Sequence, residues 1–65
     1  MSTFLERLRE EEKELQIKAI KLHEFTHTET FQELSDGNRY LLGKQLYVMW
    51  DYIGLLRTRI ELIED

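Results

Sequence analysis

In the second half of the chain, Leu42, Leu46, Met49, Ile53, Leu56, Ile60 and Ile63 recur at steps of 4, 3, 4, 3, 4 and 3. That spacing is the apolar seam of a helix packed on other helices. The adjacent row, Leu41, Gln45, Val48, Tyr52, Leu55, Arg59 and Leu62, is also largely apolar. A third row, Tyr40, Gly43, Tyr47, Trp50, Gly54 and Arg57, carries aromatics and glycines. Only Lys44, Asp51, Thr58 and Glu61 form a plainly polar strip. One partner helix within so short a chain cannot cover this much apolar surface, so the pattern predicts self-association.

The first half predicts a second long helix. Thr3-Phe4-Leu5-Glu6 reads as a capping box, with Ser2 and Thr3 opening the helix. Leu5, Leu8, Leu15, Ala19 and Leu22 share one stripe, interrupted by Glu12 and widened by Ile17 and Ile20. The helix is expected to reach about Phe25. The polar, β-branched run Thr26-His27-Thr28-Glu29-Thr30 breaks it. A second capping box, Thr30-Phe31-Gln32-Glu33, predicts a short helix over Thr30 to Leu34, with Phe31 and Leu34 as its anchors. Ser35-Asp36-Gly37-Asn38 is the next turn, and Ser35 is the expected N-cap of the long helix. Acidic Glu64 and Asp65 oppose the dipole at its far end and predict fraying there. The fold expected is all-α: a helical hairpin of two long helices with a short helix at the bend, one helical domain over residues 1–65, assembling as a homo-oligomer.

Composition narrows the partners. A chain of 65 residues is marginal alone without disulfides, metal or oligomerisation, and this one has no cysteine. Proline is absent, which suits long uninterrupted helices. The first residues, Met1 to Leu8, are charged and show no signal-peptide pattern, and no apolar run is long enough to span a membrane. With 13 acidic and 9 basic residues the net charge is −4, which argues against long nucleic acid as a partner. A small anion held by a few local Lys and Arg residues remains compatible with that charge.

Catalysis has little support in the sequence. There is no Ser/His/Asp set, no Cys nucleophile and no Gly-rich phosphate loop. His23-Glu24-Phe25-Thr26-His27 matches HExxH in letters, but it sits where the helix breaks and has no evident third ligand. No catalytic residue, cofactor or metal site is therefore assigned. Gly43 and Gly54 each cost about 1 kcal/mol against Ala inside a helix, a cost usually offset by close approach of another helix or a flat ligand. Tyr40, Tyr47 or Trp50 would then stack on a base. Arg7, Lys18, Lys21 and Arg57 read as ordinary surface charge. Arg59 differs, because it falls on an apolar row between Leu55 and Leu62 and there needs a carboxylate, a carbonyl or an anionic ligand. Lys18 similarly interrupts the Ile17/Ile20 region.

The order Arg7-Leu8, Glu11, Glu14-Leu15, Lys18, Lys21-Leu22, Phe25, Phe31, Leu34, Leu41-Leu42, Gln45-Leu46, Met49, Tyr52, Leu56 and Arg59-Ile60 resembles a family of small phage proteins. These are the anti-CBASS cyclic-nucleotide sponges, small crAss-phage-related helical proteins. The likeness runs from about Thr3 to Ile63, and Gln45-Leu-x-x-Met49-x-x-Tyr52 with Arg59-Ile60 carries most of it. It implies a helical hairpin assembling into a hexamer that binds cyclic dinucleotides, and in some relatives cyclic trinucleotides, without cleaving them. Its setting would be the cytoplasm of an infected bacterial host, where lowering the free messenger silences antiphage signalling. By position, Lys18 looks like the phosphate-contacting lysine of the dinucleotide pocket, and Arg59 like the arginine of the trinucleotide pocket. The family's stacking tyrosine falls at Thr3 or Phe4. No tyrosine stands there, and Phe4 is left to stack on a purine. Two other readings compete: a structural or adaptor oligomer binding another protein, and a hydrolase using His23, Glu24 and His27.

Overall fold

The computed structural model describes residues 3–64. Helix α1 spans Phe4–Phe25, α2 spans Glu29–Gln32 and α3 spans Asp36–Glu64. Ser2 and Asp65, invoked above at the two helix ends, lie outside the described residues.

The start of α1 is fixed by its sequence. The Glu6 N–H donates to Thr3 Oγ1 at 3.1 Å, and the Thr3 N–H donates to Glu6 Oε2 at 3.4 Å, completing the capping box. The helix ends at Phe25 without a left-handed residue; no positive φ occurs among the described residues. Side chains close it instead. The Thr26 hydroxyl donates to the His23 carbonyl at 2.6 Å, and the Thr28 hydroxyl donates to the Phe25 carbonyl at 2.7 Å. These hydroxyls satisfy carbonyls that the last helical turn leaves without intrahelical partners.

The N-cap of α2 lies two residues before the Thr30 that the capping box predicts, and the helix ends at Gln32 rather than Leu34. Its N-cap is Thr28, whose Oγ1 accepts from the Phe31 N–H at 3.2 Å. Thr28 wins because one hydroxyl serves both sides of the bend, donating back to α1 and accepting from α2. Phe31 packs edge-on against Phe25, with ring centroids 5.9 Å apart and planes at 83°. Phe31 and Leu34 are both half-buried, as expected of anchors. Ser35 caps α3 as predicted, its Oγ accepting from the Asn38 N–H at 3.2 Å.

Helices α1 and α3 then pack as an antiparallel hairpin. Their seams bury Leu8, Ala19, Ile53 and Leu56 to 3% exposure or less. Leu42, Leu46, Met49 and Ile60 flank this core half-buried, so the predicted seam of α3 is the packed one. Ile63, its last member, is exposed. Glu12 does fall on the seam of α1, and its side chain is 16% exposed. It is tolerated because Arg57 Nε donates to its Oε1 at 2.7 Å. At the open end Glu64 remains helical and pairs with Arg9 of α1. That external cation offsets the unfavourable dipole that predicted fraying.

The molecule is a rod, 45 × 19 × 13 Å. Its radius of gyration is 14.9 Å; a compact globule of this length would have about 10.7 Å. The accessible surface is 5259 Å², against roughly 4,400 Å² for a compact monomer of the same mass. Among the described residues no third layer covers the hairpin. Leu41, Val48, Leu55 and Leu62 of the second row are 52–71% exposed, and Tyr40 and Tyr47 of the third row reach 68% and 66%.

Candidate functional site

One broad face of the hairpin gathers the residues that the sequence singled out. Phe4, Glu11 and Lys18 stand seven residues apart on α1, so they form one strip beside the seam. Gln45, Tyr52 and Arg59 repeat the same spacing on α3. The two strips meet at a single hydrogen bond: the Tyr52 hydroxyl donates to Glu11 Oε1 at 2.6 Å. Because the helices are antiparallel, a two-turn step of about 10.5 Å from that bond leads to Phe4 and Arg59 in one direction. The same step in the other direction leads to Lys18 and Gln45. Of these residues only the Tyr52 phenol and the Glu11 carboxylate are in contact; Phe4 and Arg59 lie toward one end of the face, and Lys18 and Gln45 toward the other.

The electrostatics of the Tyr52–Glu11 contact are one-sided. The Glu11 hydrogen bond, and then its charge and some desolvation, raise the Tyr52 pKa above the ordinary phenol value, while the charge of Arg59 pulls it down. Arg59 thus sits close enough to act on Tyr52. It is exposed, and among the described residues no carboxylate lies within ion-pair distance of it. The expectation that Arg59 is buried and in need of a partner is thus not met within one protomer. Its apolar neighbours Leu55 and Leu62 are 65% and 71% exposed, so nothing in this chain desolvates it. Lys18 is likewise exposed without an ion pair.

Thr3 and Phe4 stand at the end of the same face. The Thr3 hydroxyl is engaged in the α1 cap, while the Phe4 ring is 62% exposed. Phe4 and Lys18 are fourteen residues apart on one straight helix, about 21 Å. One small ligand cannot touch both in one protomer. No enclosed cavity exists among the described residues. Thr3 and Phe4 start α1 and Arg59 lies in the last two turns of α3, so these three belong to the open end of the hairpin, while Lys18 lies farther along α1 toward the bend.

His27 lies beyond the end of α1, and its Nδ1 is 2.9 Å from the His23 carbonyl oxygen. The HExxH letters are therefore not presented on a continuous helix. Among the described residues, no three His, Cys, Asp or Glu side chains are grouped to hold a metal ion. No described helix is long and apolar enough to cross a membrane.

Sequence reasoning missed the pairings Glu11–Tyr52 and Glu12–Arg57. The second had a signal, since Glu12 interrupts an apolar stripe and a carboxylate on a seam needs a cation. The first had none, because neither residue is out of place on its own helix.

A family model named Sequestin matches residues 2–62. That is nearly the stretch over which the sequence resembles the cyclic-nucleotide sponges. No curated protein and no solved structure matches the chain.

Proposed function

The chain belongs to the Sequestin family, and from that premise we propose that it binds and sequesters cyclic di- or trinucleotide messengers without cleaving them. Acting in the cytoplasm of an infected bacterial host, it would block CBASS-type antiphage signalling. The observation that carries this reading is the exposed Arg59 guanidinium, without an ion pair among the described residues, on a hairpin whose Phe4 is also exposed. A free planar cation and an exposed aromatic ring are the groups that a ligand with phosphates and stacked bases calls for. Lys18, a point charge farther along the same face, supplies a second phosphate contact.

A single hairpin offers only half of such a site, since it has no cavity and its aromatic and lysine stand about 21 Å apart. The reading therefore includes a homo-oligomer, a hexamer by the family resemblance, in which residues of neighbouring copies converge on one ligand. No long nucleic acid is involved, in keeping with the net charge of −4. Nor is any catalytic residue or cofactor: the protein works by lowering the free ligand concentration.

A panel of cyclic di- and trinucleotides in a thermal-shift assay tests this. Ligand at a hundredfold excess over Kd stabilises by about 2.7 kcal/mol, a Tm rise on the order of 10–20 °C for so small a protein. Mass spectrometry after heat denaturation should return the ligand intact. The absence of any shift across the panel, or recovery of linear products, refutes the proposal. The exposed apolar rows of α3 favour one second reading, an adaptor oligomer that engages another protein and takes no nucleotide.

A further inference from the structure

The third row of α3 faces away from the ligand-bearing strip and is left open. Tyr40, Tyr47 and Trp50 are 68%, 66% and 40% exposed. At roughly 200 Å² per aromatic side chain, that leaves about 350 Å² of aromatic surface on each copy. Between these rings stand Gly43 and Gly54, and a Cβ added at either would meet nothing within 4 Å. Two interior glycines thus weaken the helix for no packing reason within the protomer.

The residues of this row are arranged symmetrically. From the midpoint between Val48 and Met49, Tyr47 and Trp50 lie at equal distances outward, and so do Gly43 and Gly54. A heptad row always has symmetric spacing; symmetry of residue type is additional. When two copies of α3 lie antiparallel about that midpoint, each Gly43 faces the other copy's Gly54, and each Tyr47 faces the other copy's Trp50. Helical side chains lean toward their own N-terminus. Tyr47 therefore leans toward the level of its own Gly43, and so over the notch at the other copy's Gly54.

The edge of the row agrees. Lys44 and Asp51 lie two turns apart on the same edge, both exposed and without ion pairs among the described residues. The same two-fold axis brings each Lys44 within two residues, about 3 Å along the axis, of the level of the other copy's Asp51. Two identical ion pairs would then close the edge, one on each side of the axis.

We propose that the Gly43/Tyr47/Trp50/Gly54 face of α3 is a two-fold, antiparallel contact between two copies of this chain, held in register by reciprocal Lys44–Asp51 pairs. This deepens the self-association included in the proposed function, and it is an isologous contact of the kind that builds closed oligomers.

Lys44→Asp and Asp51→Lys variants test it by analytical ultracentrifugation without ligand. Each alone sets like charges against each other and should weaken self-association by about tenfold or more. An equimolar mixture should recover wild-type association, because both ion pairs re-form in the mixed pair. An effect confined to one chain cannot be restored by mixing. A mixture no stronger than its components overturns the proposal, as does a wild-type protein that stays monomeric. Gly54→Leu gives a second, opposite-signed reading. On an uncontacted helix surface it raises the Tm, because leucine is the better helix former; filling a notch between copies, it lowers self-association. A raised Tm with unchanged assembly also overturns the proposal. Circular dichroism verifies that every variant stays helical. The ligand panel is scored on the wild-type protein alone, so failure of sequestration and failure of this contact are separate results.

Discussion

Tyr52 of α3 donates its phenolic hydrogen to Glu11 of α1 at 2.6 Å, one of the hydrogen bonds that join the two helices. With Arg57–Glu12 and Arg9–Glu64 it ties α1 to α3 beside the apolar seam. It also gives the molecule a titratable contact.

The Tyr52 pKa is raised in the folded protein, first by the Glu11 hydrogen bond. A group with a raised folded pKa stabilises fully below its unfolded value, about 10 for tyrosine, and loses that contribution as pH rises through the folded value. This contact's contribution should therefore be present in full and independent of pH around neutrality, and be lost in the alkaline range. Thermal melts of wild type and Tyr52→Phe should differ modestly at pH 7 and converge above the raised phenol pKa. Parallel curves across that range would show that the contact does not hold in solution.

Glu12 occupies a seam position with its side chain only 16% exposed, while Arg57, its partner, is 52% exposed. Glu12→Leu should raise stability by about 1 kcal/mol, because it completes the apolar seam and releases Arg57 to water at little cost. Arg57→Ala should do the opposite by about 1 kcal/mol, since it strands a half-buried carboxylate. Urea titrations of the two variants decide the signs.

The bend separates two threonines by role. Thr28→Ala removes the cap of α2 and a bond to the end of α1, and should cost about 1 kcal/mol. Thr30 lies in the first turn of α2 and caps nothing, so Thr30→Ala should leave the midpoint of unfolding nearly unchanged. Equal costs would return the cap to Thr30.

Arg59→Ala should remove the thermal shift from one ligand class and leave the assembled state intact, because within one chain Arg59 holds nothing together. Light scattering beside the ligand panel reads both effects. If the oligomer dissolves instead, Arg59 is an ion-pair residue between copies.

The seams were legible because burial selects one residue type at one period: the spacing of Leu42 through Ile60 identified the packed side of α3 before any coordinates. The caps at Thr3 and Ser35 were legible because they depend on three-residue windows. The cap of α2 was misplaced because Thr28 and Thr30 both satisfy the local rule, and the choice between them was made by the Phe25 carbonyl, which belongs to another helix. Arg59 looked buried because a row on a helical wheel says which residues are neighbours, not whether anything covers them. The Tyr52–Glu11 pairing depends on the offset between two helices, a quantity neither helix encodes alone.

The hairpin is 13 Å thick in its thinnest direction, one helix deep. On the proposed function the protein acts by stoichiometry, and a composite site on a hairpin one helix deep would exist only where copies meet. Free protomers then contribute no capacity, and bound messenger rises more steeply than in proportion to the protein made. That reading gives the protein a threshold: below the concentration at which copies associate the signal would pass untouched, and above it each added chain would also recruit those already present.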